Sequence, residues 1–233
     1  MRVVRHNAFF MGFEMDNRFF DRRRWLAWVV ALALGGAFSG GAAQAADASA
    51  GTVTALSGTV RILASDGRVV NGSRGASIYP GDVLETARDG QADLRFTDDS
   101  VMSIRPHTRF RVDEYAYTGR GDGSDRSLFS LLQGSFRTVT GLIGKLKRST
   151  YAVTTPTATI GIRGTEYTAS VGKTLNVSVQ RGEITVTNNA GSYAVFEGQT
   201  ATVSSADAAP QVRGTAARTT LGANEGVPAL NRH

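Results

Sequence analysis

The chain of 233 residues carries 26 lysine and arginine residues against 20 aspartate and glutamate residues, and it contains no cysteine. The lack of cysteine excludes a disulfide scaffold, a thiolate metal site and a cysteine nucleophile. The first 45 residues carry six of the basic and three of the acidic side chains, which leaves 20 and 17, a net charge of +3. That balance is too weak to indicate a nucleic-acid partner.

An export signal is predicted at the N-terminus. Three arginines at 22–24 precede the apolar run Trp25–Phe38, and Ala43–Ala45 offers the small-x-small pattern of signal peptidase, so cleavage is expected between Ala45 and Ala46. The run has 14 residues, whereas a membrane span needs about 20. We therefore predict a periplasmic or secreted protein. The Sec route is favoured over the twin-arginine route, although Arg22–Leu26 resembles the twin-arginine pattern. An uncleaved membrane anchor remains the alternative.

From Gly51 onward, apolar residues alternate with polar ones, which is typical of half-buried strands. The first turn falls at Ser57–Gly58, and a second falls at Asp98–Asp99. The alternating apolar positions on either side of these turns, and in the strand that follows, are Val53, Val60, Ile62, Leu94, Phe96, Met102, Ile104, Phe110 and Val112. No helical stripe of three turns occurs after residue 45, so the sequence predicts an all-β domain.

The stretch Thr174–Asn188 shows the clearest alternation. Leu175, Val177 and Val179 share one face, and Ile184 and Val186 resume it after Arg181-Gly182. This pattern predicts a hairpin with one solvated face.

A glycine followed by alternating β-formers recurs as GTVRI, GSFRT, GEITV and GQTATV, beginning at Gly58, Gly134, Gly182 and Gly198. The recurrence predicts short antiparallel strands in a β-roll or solenoid-like arrangement, or in a sandwich. Three parts are expected: an N-terminal extension with a signal helix (1–45), the all-β domain (46–205), and a disordered tail (206–233) that is poor in large apolar residues. Within the domain, Thr118–Ser127 is predicted to be an exposed loop.

The ordered motifs of the domain resemble the FecR-type periplasmic domain, named after a regulator of iron-dicitrate transport. The resemblance rests on GTVTALSGTVRI (51–62), taken as a strand pair around a glycine, on YPGDVLETARDGQADLRFTDDSVMSIRPHTRFRV (79–112), and on LLQGSFR (131–137). It continues through VTTPTATIGIRGTEYTASV (153–171), VQRGEITV and FEGQTATV. Asp99 stands where the family usually has glycine, a change that aspartate tolerates in turn geometry.

The resemblance implies an exported β-domain that binds or senses something in the envelope. Sigma-regulating members of the family carry a helical cytoplasmic domain before a membrane span. Only 21 residues precede the arginines here, without a capped amphipathic helix. Anti-sigma activity is therefore not carried over.

The motif TPTATIGIRGTEY could either bind a ligand or determine the local geometry of the sheet. Thr155, Pro156, Arg163, Gly164 and Thr165 are its family residues. Pro156 suits a strand start or edge, and the glycines permit bulges. The architectural interpretation is favoured, with Arg163 as a candidate for ligand contact.

Basic residues are the other candidates for partner binding. Arg95, Arg109 and Arg111 alternate with apolar positions and so lie on solvated strand faces, and Lys145, Lys147 and Arg148 add a basic cluster. Together these residues could contact a protein or an anionic envelope partner. The alternative is a mixed-charge surface, because Asp93 and Asp113 lie nearby in sequence.

No catalytic, metal or cofactor site is predicted. A Ser-His-Asp site could be drawn from Ser100, His107 and Asp98 or Asp99, but no GxSxG elbow accompanies it. Asp122 and Asp125 lack the further ligands of a calcium loop, and Arg120–Asp122 matches an adhesion tripeptide by chance. The sequence thus predicts a non-catalytic exported binding or sensing module. A membrane-anchored signalling regulator of a sigma-factor or iron-transport-type pathway is the alternative, an envelope hydrolase is disfavoured, and the oligomeric state is open.

Overall fold

The computed structural model describes residues 48–120, 123–146 and 151–214. Within them the strands are β1 Gly51–Ser57, β2 Val60–Leu63, β3 Val69–Asn71, β4 Ser77–Ile78, β5 Val83–Thr86, β6 Gln91–Phe96, β7 Val101–Ile104, β8 Arg109–Ala116, β9 Arg126–Val139, β10 Tyr151–Thr154, β11 Thr159–Val171, β12 Leu175–Asn188, β13 Gly191–Phe196, β14 Thr200–Val203 and β15 Gln211–Arg213. One short helix, α1 (Leu142–Leu146), lies between β9 and β10.

The predicted all-β class is confirmed, but the predicted strand arrangement needs correction. All fifteen strands belong to one continuous sheet rather than to a stack of repeats or two separate sheets. Three strands, β9, β11 and β12, are 13 or 14 residues long rather than short. The sheet is mixed, because β10 runs parallel to β9 while the other pairs are antiparallel.

The three long strands divide the sheet into two halves. Half-sheet 1 runs β3–β2–β5–β8, then the N-terminal parts of β9, β10 and the N-terminal part of β11, then the C-terminal part of β12 and β13. Half-sheet 2 runs β4–β1–β6–β7, then the C-terminal parts of β9 and β11, then the N-terminal part of β12, β14 and β15. Each long strand therefore contributes to both halves.

Residues with positive φ mark the points where the chain passes from one half-sheet to the other. The four glycines of the recurring motif, Gly58, Gly134, Gly182 and Gly198, have φ between 63° and 86° and all lie at such crossings. The recurrence thus marks a backbone conformation that favours glycine, rather than a stacked repeat. Another crossing, between β7 and β8, uses His107 at φ 54°.

Two sequence predictions were wrong for this reason. Thr174–Asn188 is not a hairpin, because Gly182 bends a single strand, β12, between the half-sheets. The segment 51–62 is not a strand pair either, since β1 pairs with β4 and β6 while β2 pairs with β3 and β5. By contrast, β6 and β7 form the expected hairpin around Asp98–Asp99. Asp99 adopts a left-handed φ of 66°, which confirms that it serves as the turn residue in place of glycine.

Side chains from both half-sheets meet in one aromatic core. Phe96 of half-sheet 2 stacks on Tyr115 of half-sheet 1 with ring centroids 5.4 Å apart. Phe110 and Phe136 contact each other edge to face across the same boundary at 5.7 Å. Such aromatic pairs add to the apolar burial that holds the halves together.

Two buried tyrosines close the core across the same boundary. The hydroxyls of Tyr151 in half-sheet 1 and Tyr167 in half-sheet 2 lie 3.0 Å apart. Burial raises the pKa of both phenols above the usual value. The two phenols therefore stay neutral, and their hydroxyls form a hydrogen bond with each other.

The ordered sheet extends beyond the predicted domain end at 205. β15 pairs with β14 through Gln211–Arg213, and the Asn188 amide donates to the carbonyl oxygen of Ala208 at 2.7 Å. The disorder prediction therefore does not hold for residues 206–214, which the backbone pairing of β15 and the Asn188 amide help to order. Residues 215–233 and the predicted signal segment with Ala45 and Ala46 lie outside the described residues. Among the described residues, the single helix α1 has five residues and is too short to span a membrane.

Candidate functional site

The Thr-Pro motif forms the turn between β10 and β11. The Thr155 hydroxyl donates to the carbonyl oxygen of Ala158 at 2.7 Å and accepts the Ala158 N–H at 3.1 Å. Pro156 occupies the second position of this four-residue turn, where its fixed φ is suited. Thr155 is buried, so its hydroxyl serves the turn rather than a ligand.

The Arg-Gly-Thr motif forms the bend of β11. Gly164 has φ 59°, and the Thr165 hydroxyl donates to the carbonyl oxygen of Glu183 at 2.7 Å while the Thr165 N–H donates to Thr140 Oγ1 at 2.9 Å. These contacts tie the bend of β11 to β12 and to the end of β9. Arg163 projects outward and lies 3.3 Å from the Glu183 carboxylate, where it makes a surface ion pair.

Two buried aspartates of the family landmarks also bind backbone at turns. Asp98 accepts the Ser100 N–H and hydroxyl and the Tyr115 hydroxyl, and its second oxygen accepts the Ile143 N–H at 3.2 Å. Asp82 accepts the Tyr79 N–H at 2.9 Å. Thr86 and Thr108 do the same at the β5 and β8 ends, where Thr86 Oγ1 accepts the Thr108 N–H. These hydrogen bonds fix the conformation of the turns.

The Ser-His-Asp arrangement considered from the sequence is not assembled in the described residues. Ser100 is buried and its hydroxyl donates to Asp98 at 2.6 Å, while no hydrogen bond in the described part joins it to His107. Asp125 accepts the Thr118 N–H at 2.7 Å and closes the loop after β8, whereas Asp122 lies outside the described residues. The described ranges contain no cluster of three or more metal-ligating side chains.

The basic candidates that the structure describes form surface ion pairs. Arg109 pairs with Glu85, Arg111 with Asp113 and Arg163 with Glu183. Lys145 is exposed on α1, while Lys147 and Arg148 lie outside the described residues. The three arginines thus belong to a mixed-charge surface, and the basic patch around Lys145, Lys147 and Arg148 stays a prediction.

Arg109 nevertheless belongs to a smaller cluster that the sequence did not indicate. Arg61 on β2, Glu85 on β5 and Arg109 on β8 occupy one register row of half-sheet 1. The two guanidiniums share the Glu85 carboxylate at 3.4 and 3.3 Å. Gln133 on β9 extends the row. With His107 and Thr59, these side chains line an open pocket of about 340 Å³.

A second pocket of about 510 Å³ adjoins the first, because His107 and Gln133 line both. Its other lining residues include Leu132, Pro156, Thr157, Val171 and Lys173. We call the two pockets together the His107 groove. Arg61 and Arg109 lie at its cationic end, and apolar side chains such as Leu132 and Val171 line its middle. Lys173 lines the part away from the two arginines.

A free sheet edge is the other candidate surface. In the described structure β13 pairs with β12 alone. The pair Asn188–Gly191 closes a two-residue hairpin, so hydrogen-bonded pairs alternate from there, and the backbone groups of Ser192 and Ala194 point away from β12. The next residue in this series, Phe196, accordingly donates its N–H to Gln199 Oε1 instead of to β12.

β13 is the least protected edge among those the structure describes. Its six residues contain no charge and no proline, and Phe196 is 43% exposed. β4 has two residues and is followed closely by Pro80. β15 has three residues, follows Pro210 and ends at Arg213, and β3 follows the ion pair of Asp66 and Arg68. Natural sheets use such short, charged or proline-flanked edges to block strand addition.

Sequence reasoning missed both surfaces for a physical reason. Arg61, Glu85 and Gln133 come from three strands that are distant in sequence, and only the pairing order brings them together. For β13 a local signal existed, since GSYAVF is an uncharged run next to a turn. The sequence could not show that the strand lies at an edge.

The family-model comparison agrees with the motif resemblance. Residues 82–185, from β5 into β12, match the family model described as FecR protein. No curated protein matches the chain. Two crystal structures of a protein assigned as an anti-sigma factor from Parabacteroides distasonis ATCC 8503 are similar at 14% identity, with TM-scores of 0.47 and 0.46, over 58% of this chain and 60% of theirs. The family match is thus confined to residues 82–185, and it is consistent with a FecR-type domain in this part of the chain.

Proposed function

We propose that this protein is an exported, non-catalytic FecR-type binding module that recognises a protein partner by strand addition at β13. The observation that carries the proposal is the six-residue uncharged edge with outward backbone groups at Ser192 and Ala194. An extended partner strand would gain main-chain hydrogen bonds there, and exposed Phe196 would add apolar contact.

The chemistry around the family motifs supports a binding role over catalysis. The buried polar residues of these motifs have their hydrogen bonds directed at backbone turns. A catalytic serine, in contrast, needs a hydroxyl that is accessible and paired with a base. Ser100, the serine of the candidate triad, meets neither requirement.

A membrane-anchored signalling regulator is the second candidate, favoured by the family match. The family resemblance implies a role in envelope signalling, and the signal would then regulate a sigma-factor pathway. This candidate requires that the apolar run Trp25–Phe38 stays attached to the domain. The two candidates share the strand-addition surface and differ in the fate of that segment.

A photo-crosslinking residue at position 192 tests the edge in the bacterium that produces the protein. We expect a protein adduct from position 192 and none from the matched position 178, because Ser178 lies on β12 between β11 and β14. Ala194→Pro removes an outward N–H, which an edge strand tolerates, and should abolish the adduct. Ala194→Thr keeps the N–H and should preserve the adduct.

Two results would contradict strand addition at β13. An adduct that persists in the Ala194→Pro variant, with folding verified by thermal unfolding, would show that the partner does not pair with the edge. Equal adducts from positions 178 and 192 would show that contact is nonspecific.

A further inference from the structure

We infer that the His107 groove binds an acidic peptide segment, with a carboxylate between Arg61 and Arg109 and an apolar side chain against Leu132 and Val171. The inference rests on the proposed function in taking the ligand to be part of a protein. It adds a second surface, separate from the β13 edge, and it assigns the chemistry of the segment bound there.

The cationic end has more donors than the protein itself uses. One carboxylate, Glu85, serves two guanidiniums, with one contact from Arg61 Nη2 and one from Arg109 Nε. The side chain of Glu85 is 22% exposed, whereas those of Arg61 and Arg109 are 56% and 51% exposed. The acid therefore lies at the floor and the two guanidiniums reach toward solvent, where their remaining N–H groups match the two oxygens of an incoming carboxylate.

The balance of charge along the groove favours an acidic ligand. Arg61, Arg109 and Lys173 line it, and Glu85 is the one carboxylate among the lining residues that the structure describes. Asp89 lies just outside, 3.5 Å from the Thr59 hydroxyl. A ligand carboxylate would compete with Glu85 for the arginines and would complete a pairing of two acids with two guanidiniums.

The middle of the groove favours a peptide over a sugar. Leu132 is 38% exposed there, beside Pro156 and Val171. Among the described residues, no phenylalanine, tyrosine or tryptophan lines either pocket, so these residues offer no flat stacking platform of the kind that a sugar ring would use. Nearby, the Thr157 hydroxyl is buried without a hydrogen-bond partner. An extended peptide offers both an apolar side chain and backbone groups to this region.

The test uses three blocked tripeptides and the 15N-labelled protein, purified from a bacterium that expresses the full gene. Acetyl-Glu-Ala-Leu-amide presents an acid and a leucine on one side of an extended chain, since side chains two residues apart share a face. Acetyl-Gln-Ala-Leu-amide removes the charge, and acetyl-Glu-Ala-Ala-amide removes the apolar group. We expect shift changes at Gln133, Leu132 and the Nε–H of Arg109, with binding about tenfold weaker for each altered peptide.

Variants separate ligand contact from a structural role. Arg109→Gln should weaken binding of the acidic peptide about tenfold, while Arg163→Gln, which alters an ion pair outside the groove, should leave it unchanged. Glu85→Gln should tighten binding about threefold, because it removes the competing carboxylate. A purely structural ion pair would not give that gain.

Several outcomes would overturn the inference. Equal binding of the glutamine peptide would exclude carboxylate recognition, and glucuronic acid binding as tightly as the acidic peptide would assign the groove to sugar acids instead. Shift changes that lie outside the groove would place the site elsewhere. The Ala194→Pro variant should bind the acidic peptide normally, so failure at the groove and failure at the β13 edge are distinguishable.

Discussion

Asp98 shows how a single residue of the family motif determines local structure. Its carboxylate receives hydrogen bonds from the turn between β6 and β7, from the Tyr115 hydroxyl on β8 and from the first turn of α1. Asp99, its neighbour, is exposed and pairs with Arg95 at 2.7 Å. Two adjacent aspartates therefore have unequal roles, one as a buried junction and one as a turn residue.

Replacing these two residues should separate the roles. Asp98→Ala leaves buried donors without an acceptor, and we expect the free energy of unfolding to fall by about 3 kcal/mol. Asp99→Gly relieves a left-handed φ while losing an exposed ion pair, so the change should stay within about 1 kcal/mol. Urea unfolding of both variants measures the difference. Similar losses in the two variants would contradict the assignment of Asp98 as the junction.

At the residue scale, the sequence predicted the role and exposure of single residues better than it predicted which residues contact each other. It predicted correctly that Asp99 could replace a turn glycine. It placed Arg109 and Arg111 on solvated faces, where they are found, but it could not indicate their partners. Arg61 and Glu85 were missed because a side chain's neighbours across a sheet depend on strand order, which local alternation does not encode.

The long bent strands are the defining elements of this fold. β12 bends at Gly182, which has φ 86°, and an added Cβ there would lie 2.5 Å from the carbonyl oxygen of Gly164. Gly164 bends β11 beside it with φ 59°, yet an added Cβ at Gly164 would meet nothing within 4 Å. The two glycines share a conformational requirement and differ in available space.

This difference predicts unequal costs for the same substitution. Gly164→Ala should cost about 1 kcal/mol, from left-handed strain alone. Gly182→Ala adds a clash with backbone and should cost about 3 kcal/mol. Thermal unfolding of the two variants provides the comparison. A Gly182→Ala variant no less stable than Gly164→Ala would refute the close packing of the two bends.

At the element scale, the existence of strands was predictable while their connections were not. The alternation in Thr174–Asn188 identified its buried face correctly, since Leu175, Val177, Val179, Ile184 and Val186 are all buried. The glycine was interpreted as a hairpin turn because a bend within one strand and a turn between two strands use the same positive φ. Only the pairing of β12 with β11 along its whole length distinguishes them.

On the scale of the whole molecule, the family motifs contribute both to the architecture and to one of the two candidate surfaces. They hold one sheet around a shared core. Most residues that line the His107 groove lie within the motif segments, whereas β13 lies outside them except for Phe196. The family resemblance therefore predicts the domain, while a partner at the β13 edge depends on residues that the motifs do not include.

If the domain works as a free exported binder, its N-terminal segment must be removed on export. Intact-mass analysis and N-terminal sequencing of the protein from envelope and medium fractions of its native bacterium measure this. We expect a soluble protein that begins at Ala46. An intact N-terminal segment retained in the inner membrane would contradict it and would make the protein an anchored signalling component.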